Sequence, residues 1–365
     1  MDLTIAIPTY NRSSYLARLL GLLTATNLNN IKILIVDNCS TDDTEQVTKS
    51  YCDKAPKQAI NYYRNPANIG ADANILRCFE LADTEWLWIV GDDDLPVPNC
   101  IDIVQATISA HQDCQYLNFA STILALRVSR RSGFTTSGID ELVASIDCYS
   151  NLLFVSSGVY KRTAFLKHLP KAYRFIYAYS TQLALVFSVM AEDSNKKCYF
   201  SPELLVEWEP PPKAITWSQD LFTLGAPFVS EALSSIKLRD EFIIKVREIQ
   251  EIAPSLTLRK LLALSLHEGP KLALIQKQYN ILATLTPSYA IQASIAHLLV
   301  LFAKRRALMK LIRILERVSK SKFRFAAKPA SSLLDFDLLC KDIRIPLLSS
   351  HDAKIVTSEI RKSLN

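Results

Sequence analysis

Three adjacent carboxylates, Asp92-Asp93-Asp94, directly follow the apolar run Glu85–Val90 and precede Leu95-Pro96. Like charges side by side repel, and the low-dielectric edge of a sheet strengthens the repulsion. A hard divalent ion, Mn2+ or Mg2+, relieves it through carboxylate oxygens and still leaves room for water and phosphate. The competing reading is a solvated acidic turn; a place at a strand end in a strand–helix array favours the metal. Asp37 ends a second apolar run, where a carboxylate accepts hydrogen bonds from a base or sugar edge, or else caps the next helix in competition with Asp42 or Asp43. The turn Pro8-Thr9-Tyr10-Asn11-Arg12 offers one ligand an aromatic ring, amides and a guanidinium, with a plain surface role for Arg12 as the alternative. His168, in a KHLPK context, reads as a surface side chain.

The elements that must position these residues follow from periodicity. Leu3–Ile7, Ile31–Val36, Ile60–Tyr63 and Glu85–Val90 are expected strands, nearly all aliphatic in the second as in strands buried on both faces. Between them fall expected helices at Tyr15–Leu23, capped by Ser13 or Ser14, near Thr44–Tyr51, and at Ala71–Leu81. Such alternation means βαβ units and a mostly parallel sheet, whose ligands bind beyond the carboxyl ends of the strands. Asp37, Asp92–Asp94 and the 8–12 turn therefore converge on one crevice. Further on, helices near Ile139–Ile146 and Tyr179–Met190, a short apolar run Leu152–Val155, and two short strands, Cys198–Phe200 and Leu204–Trp208, are expected. The triple proline 210–212 divides an α/β domain, 1–212, from a mainly α-helical region, 213–365.

Taken in order, IAIPTYNR, ILIVDNCSTDDT, NPANIGADANILRCFELA and WLWIVGDDD resemble the nucleotide-sugar-binding half of a family 2 glycosyltransferase of GT-A fold. The Asn68-Ile69-Gly70 segment and the GDDD form are most similar to the bacterial subgroup of abequosyltransferase-like O-antigen enzymes. The resemblance covers about residues 3–208. It implies that Pro8, Tyr10 and Arg12 contact the nucleotide and that Asp37 reads a base, usually uracil. It also implies that Gly70 and Asn74 line the donor pocket. Asp92 and Asp94 then flank the D-x-D motif, the first toward the ribose, the last toward the metal, with Asp93 close by. The implied enzyme is a metal-dependent hexosyl- or deoxyhexosyltransferase using a nucleoside diphosphate sugar and a glycan or lipid-linked acceptor. One departure stands out. Pro202-Glu203-Leu204-Leu205 is present, but the preceding helix start, Tyr177 to Gln182, lacks the carboxylate pair that supplies the family's base. Glu192 and Asp193, at the far end of that helix next to SNKK, are weak substitutes, and a solvated turn is the favoured explanation of them. A nucleotide-sugar-binding protein without transferase activity is therefore the alternative.

Composition sets the remaining bounds. Hydrophobic residues form 49% and charged residues 21% of 365, enough for a proper core. The eight cysteines form no C-x-x-C pair, so they read as buried thiols in a reducing compartment without a structural zinc site. MDLTIAIPTYNR does not read as a secretory signal, and the most apolar run, Ser288–Ala303, is interrupted by Gln292 and His297, short of a spanning helix. Residues 1–212 carry a net −5 and residues 213–365 a net +11. Arg306, Lys310, Arg313, Arg317, Lys320 and Arg324 share one helical face, opposite Leu308, Leu311, Ile312 and Leu315. That face is either simply solvated or rests on an anionic membrane, which would place a cytoplasmic protein on the inner face of the plasma membrane. Nucleic acid is not an expected partner, because no zinc-finger or RNP-like motif is present.

Overall fold

The computed structural model describes residues 2–207, except 27, 29, 55–58, 123–131, 147–151, 177 and 179, together with 226–249 and 294. The chain divides into two compact units, Met1–Ile215 with Ala232–Ser234, and Thr216–Glu231 with Ser235–Asn365. In the second unit the longest described element is a helix, Ile236–Ile249. The basic face at 306–324, the triple proline, Cys148 and Cys340 lie outside the described residues.

The first unit is built on one nine-stranded sheet: β1 (Leu3–Thr9), β2 (Ile31–Asp37), β3 (Ala59–Arg64), β4 (Trp86–Ile89), β5 (Leu95–Pro96), β6 (Cys114–Ser121), β7 (Phe134–Ser137), β8 (Gly158–Lys161) and β9 (Lys197–Glu207). Their order is β3-β2-β1-β4-β8-β6-β9-β5, with β7 also on β9. The first four strands are parallel to one another. β8 then runs antiparallel to both β4 and β6, while β9 returns parallel to β6. The parallel β3-β2-β1-β4 half was expected. β6, β7 and β8, and the helix α4 (Cys100–Ala110), were not anticipated.

Helices α1 (Ser13–Thr24), α2 (Thr44–Lys54) and α3 (Ala71–Leu81) stand where periodicity placed them. α5 (Gly138–Ser145) and α6 (Thr181–Met190) complete the unit's longer helices. One face of the sheet presents Ile5, Ile7, Ile33, Ile35, Trp86 and Trp88 to Leu16, Leu19 and Leu20 of α1 and Val104 and Ile108 of α4. Because side chains alternate along a strand, Ala6, Leu34 and Leu87 belong to the other face, against which α3 packs. There Phe79 of α3 meets Tyr160 edge-on at 5.0 Å and Phe165 at 5.8 Å. These rings bury large apolar areas and fix α3 on the strands that end at the crevice.

Two local expectations change. Neither Ser13 nor Ser14 caps α1: Arg12 stands at the N-cap without a side-chain cap bond, and Asp42 accepts the Ser13 N–H at 2.9 Å from the neighbouring loop. The same carboxylate accepts from Thr44 N–H at 3.2 Å, so one acidic residue serves two helix starts. The two strands expected around Pro202 are one continuous β9. Its register against β6 slips between Asn118 and Ala120, which absorbs the irregular SPE stretch as a bulge. The described cysteines are free thiols; Cys78, Cys100, Cys114 and Cys198 are buried, while Cys39 and Cys52 are half-buried.

Candidate active site

Parallel pairing carries the ends of β1, β2 and β4 to one edge. Thr9 pairs with Asp37, Asp37 with Arg64, and Val90 N–H donates to Ala6 O at 2.9 Å, so Asp92 emerges beside the 8–12 turn. There the carboxylates meet the turn directly. Thr9 Oγ1 donates to Asp92 Oδ2 at 2.7 Å, and Arg12 Nη1 reaches Asp92 Oδ1 at 2.9 Å and Asp93 Oδ2 at 2.7 Å. Arg18 Nη2 donates to the Asp93 carbonyl at 3.1 Å. Tyr10, 42% exposed, stands at the lip, and Pro8 is half-buried.

Asp94 turns inward. The Ser156 hydroxyl accepts the Gly91 N–H at 2.8 Å, which leaves its own proton for Asp94 Oδ2. The Ser156 carbonyl is held in turn by Trp88 Nε1 at 2.9 Å. Gly91 leaves room for this carboxyl: a Cβ there would lie 2.6 Å from Asp94 Oδ2 and force it to shift. Burial lifts the Asp94 carboxyl to about 8, with Asp93 and Asp92 adding to the rise against the Ser156 hydrogen bond. Asp92 is lifted to about 6, again chiefly by burial, with Arg12 and Thr9 opposing. A protein-internal cluster whose charges are this unfavourable is one that a cation would relieve. Among the described residues no three acidic, imidazole or thiol groups form a closed metal cage. An Mg2+-type site does not need one, since it takes one or two carboxylates together with substrate phosphates.

The Asp37 end of the edge is an organised polar shell. Asp37, 1% exposed, accepts Ser40 N–H at 2.9 Å and the Ser40 hydroxyl through Oδ1, and Tyr62 Oη at 2.6 Å through Oδ2. Arg64 Nε lies 3.5 Å from Oδ2. Burial, then the bond to Asp37, pushes the Tyr62 phenol up. Asp42, not Asp37, caps the following helix. Beside it Asn38 Nδ2 donates to Asn68 Oδ1 at 2.7 Å, and Asn38 Oδ1 accepts Ile69 N–H at 2.9 Å, which pins the loop before α3. Gly70 is exposed at φ +88°, a conformation that side chains disfavour. Asn74 is placed differently from a donor-lining residue: it is 2% exposed, accepting from Asn65 Nδ2 at 2.8 Å and donating to Val36 O at 2.9 Å. It braces the pocket from behind.

The structure does not bring Glu192 and Asp193 to this edge. α6 begins near the crevice, where Gln182 Nε2 donates to Leu153 O at 2.6 Å, and its ten residues rise about 15 Å away from that point. The following β9 starts at Lys197 beside Cys114, at the opposite end of the sheet. Glu192 Oε1 lies 2.6 Å from Lys167 Nζ and 2.8 Å from His168 Nε2, so His168 is a mostly covered neighbour of Glu192 rather than a surface side chain. Asp193 holds an exposed turn by accepting the Asn195 N–H at 2.9 Å. Asp193→Ala should therefore leave turnover within a few-fold, as a rate assay can check, where loss of a general base costs about 10²–10⁴. A carboxylate does stand at the start of α6, contributed by α3: Asp72, 5% exposed, accepts Thr181 N–H at 3.2 Å through Oδ1.

Asn38, Ser40, Tyr62, Arg64, Asp72 and Ser156 were not singled out in the sequence. Tyr62 and Arg64 were findable, because two polar-tipped residues alternate on a strand that pairs with the Asp37 strand. Ser156 lies 62 residues from Asp94 and carries no local signal.

Comparison with known proteins bears on this geometry. The family model Glycosyl transferase family 2 matches residues 4–142. Abequosyltransferase RfbV of Salmonella typhimurium is 33% identical over 147 residues, 39% of this chain and 43% of that protein. The uncharacterized glycosyltransferase MG060 of Mycoplasma genitalium is 32% identical over 108 residues, 29% of this chain and 36% of its own. The chain thus spans less than half the length of these relatives. The crystal structure of Staphylococcus aureus TarS 1–349 aligns with a TM-score of 0.55 at 14% identity, covering 90% of this chain and 95% of that one. Its complex with UDP-GlcNAc aligns with a TM-score of 0.55 at 13% identity over the same shares. The likeness to TarS concerns the fold, which is the GT-A fold expected from the motifs.

Proposed function

We propose that this protein is a glycosyltransferase that moves a sugar from a nucleoside diphosphate donor to a glycan or lipid-linked glycan in cell-surface polysaccharide synthesis. The observation that carries the reading is the meeting of Asp92, Asp93 and Asp94 with Thr9 and Arg12 at the carboxyl ends of parallel strands, a few residues from the Asp37 shell. That edge is where open α/β sheets bind ligands. RfbV and TarS bear the names of sugar transferases, and TarS has been solved with UDP-GlcNAc, which supports a nucleotide-sugar donor here.

The carboxylates suit Mn2+ or Mg2+, with Asp92 and Asp94 as its protein ligands. When bound, such an ion neutralises charge on the departing nucleoside diphosphate. The chain's own part is to fix these groups: Ser156 orients Asp94, Thr9 orients Asp92, and the Asn38–Asn68 pair holds the Gly70 loop over the pocket. Tyr10 offers a ring face to the nucleotide, and Asp37 with Tyr62 and Arg64 forms the base end. Thermal melts with UDP, CDP and GDP test this reading. One of them, with Mn2+, should raise the midpoint by about 5–10 °C at saturating concentration. No shift with any of the three would overturn it.

Binding without transfer is the second reading, favoured by an α6 that begins Ser180-Thr181-Gln182 with no carboxylate of its own. Asp72 separates the two. Asp72→Asn keeps an acceptor for Thr181 N–H, so the fold should persist. If Asp72 supplies the base, sugar transfer falls about 10²–10⁴-fold while donor binding holds.

We also place the protein at the inner face of the plasma membrane, on the strength of the net +11 of residues 213–365 and the six basic residues from Arg306 to Arg324. Among the described residues no helix is long and apolar enough to cross a membrane. Flotation with phosphatidylglycerol vesicles should be strong at low salt and lost near 1 M, where the screening length is about 3 Å. Wild-type protein that ignores such vesicles at low salt would remove the membrane from the account.

A further inference from the structure

Arg12 already does, for two of the three carboxylates, what a divalent cation would do. A single nitrogen, Nη1, bridges Asp92 Oδ1 at 2.9 Å and Asp93 Oδ2 at 2.7 Å. The residue is held there from both ends. Its backbone sits at the N-cap of α1, directly after Asn11, whose φ is 53°. Its guanidinium lies 5.9 Å from the centre of the Tyr15 ring, which Arg18 also faces at 5.7 Å. At 27% exposure the side chain is at the lip, with water on one side and the buried Asp92 on the other.

A free cation approaching Asp92 therefore meets a like charge already seated on one of the oxygens it seeks, Asp92 Oδ1. A diphosphate changes the balance, because its oxygens accept from a guanidinium at least as well as a carboxylate does. We propose that Arg12 makes the site selective for a divalent cation and a diphosphate together, by keeping the place of the cation until the diphosphate draws the guanidinium away. This inference rests on the nucleotide-sugar reading above and deepens it. The residue's role is binding specificity: two ligands that singly are held weakly become strong partners. By linkage the coupling is reciprocal, with a typical size of about 5–150-fold.

The two ligands respond oppositely to loss of Arg12, which a merely structural residue would not produce. Equilibrium dialysis of Mn2+ against the full chain, alone and with UDP, CDP or GDP in both chambers, reads protein-bound metal directly. Wild type should bind Mn2+ alone weakly and at least about tenfold more tightly with the matching nucleotide. In Arg12→Gln, Mn2+ alone should bind more tightly than to wild type, metal-free nucleotide more weakly, and the coupling should fall toward one. Should that variant fail to fold in a thermal melt, Arg12→Lys replaces it; it keeps a charge but loses the fork, and should move both affinities in the same directions by less. Arg12→Gln that binds Mn2+ alone no better than wild type, while wild type still shows nucleotide-dependent Mn2+ binding, overturns this inference and leaves the site reading intact. Wild type that binds no Mn2+ even with nucleotide overturns both.

Discussion

Asp94→Asn should abolish metal-dependent nucleotide binding and cut sugar transfer by about 10²-fold or more, on the scale of losing one transition-state-stabilising group. The same change should stabilise the metal-free protein at alkaline pH. Burial holds the Asp94 carboxyl at about 8 and Asp92 at about 6 in the folded chain, against an ordinary 3.8. The folded state thus holds protons at these two groups that the unfolded chain has already released, so their contribution to stability is greatest at low pH and is lost as pH rises from about 4 to about 8. Asparagine keeps an acceptor for Ser156 and carries no charge, which removes the Asp94 share of that loss. Melts of wild type and variant should diverge above pH 7, with the variant higher, and Mn2+ plus nucleotide should close the gap by lifting wild type alone. Binding unchanged in calorimetry would remove Asp94 from the metal site.

The second large effect falls on stability and binding together. Asp37 is 1% exposed and accepts from Ser40 and Tyr62, with Arg64 Nε 3.5 Å from Oδ2. Asp37→Ala leaves the Ser40 and Tyr62 donors without their acceptor, and removing one member of a buried polar set costs about 1–3 kcal/mol per stranded group. Arg64 is 41% exposed, so water recovers most of its share. A loss of about 3 kcal/mol, or about 6–12 °C in the midpoint, is expected, with nucleotide affinity lost as well. A variant that melts like wild type would mean that the Asp37 shell is not a structural unit.

The halves of the first unit differed in how much the sequence disclosed. Strands β1 to β4 are buried on both faces or end at polar turns, so they stand out as apolar runs broken by helices of clear periodicity, and α3 falls at its expected Ala71–Leu81. Past Asp94 the chain changes habit. β8 is four residues long and antiparallel, and β9 bends through a bulge at Pro202 that makes it read as two strands; α6, though buried all round, falls within its expected Tyr179–Met190. The same contrast holds at the site. Asp92–Asp94 and Asp37 were legible because charge at the end of an apolar strand is conspicuous. The sequence does not say which way Asn74 faces: its amide pairs with Asn65 and the Val36 carbonyl, at the back of the loop. Ser156 and Asp72 act across 62 and 109 residues of chain, on Asp94 and on Thr181, a separation that no local pattern encodes.

The central claim is that the Asp92–Asp94 edge transfers a sugar from a nucleoside diphosphate donor. Its most direct test follows release of nucleoside diphosphate from a panel of UDP-, CDP- and GDP-sugars by the full chain with Mn2+, beside Asp94→Asn. The account predicts that at least one donor is consumed by wild type, that chelation stops it, and that Asp94→Asn reduces it by about 10²-fold. Consumption equal in wild type and Asp94→Asn, or none with any donor, would contradict it.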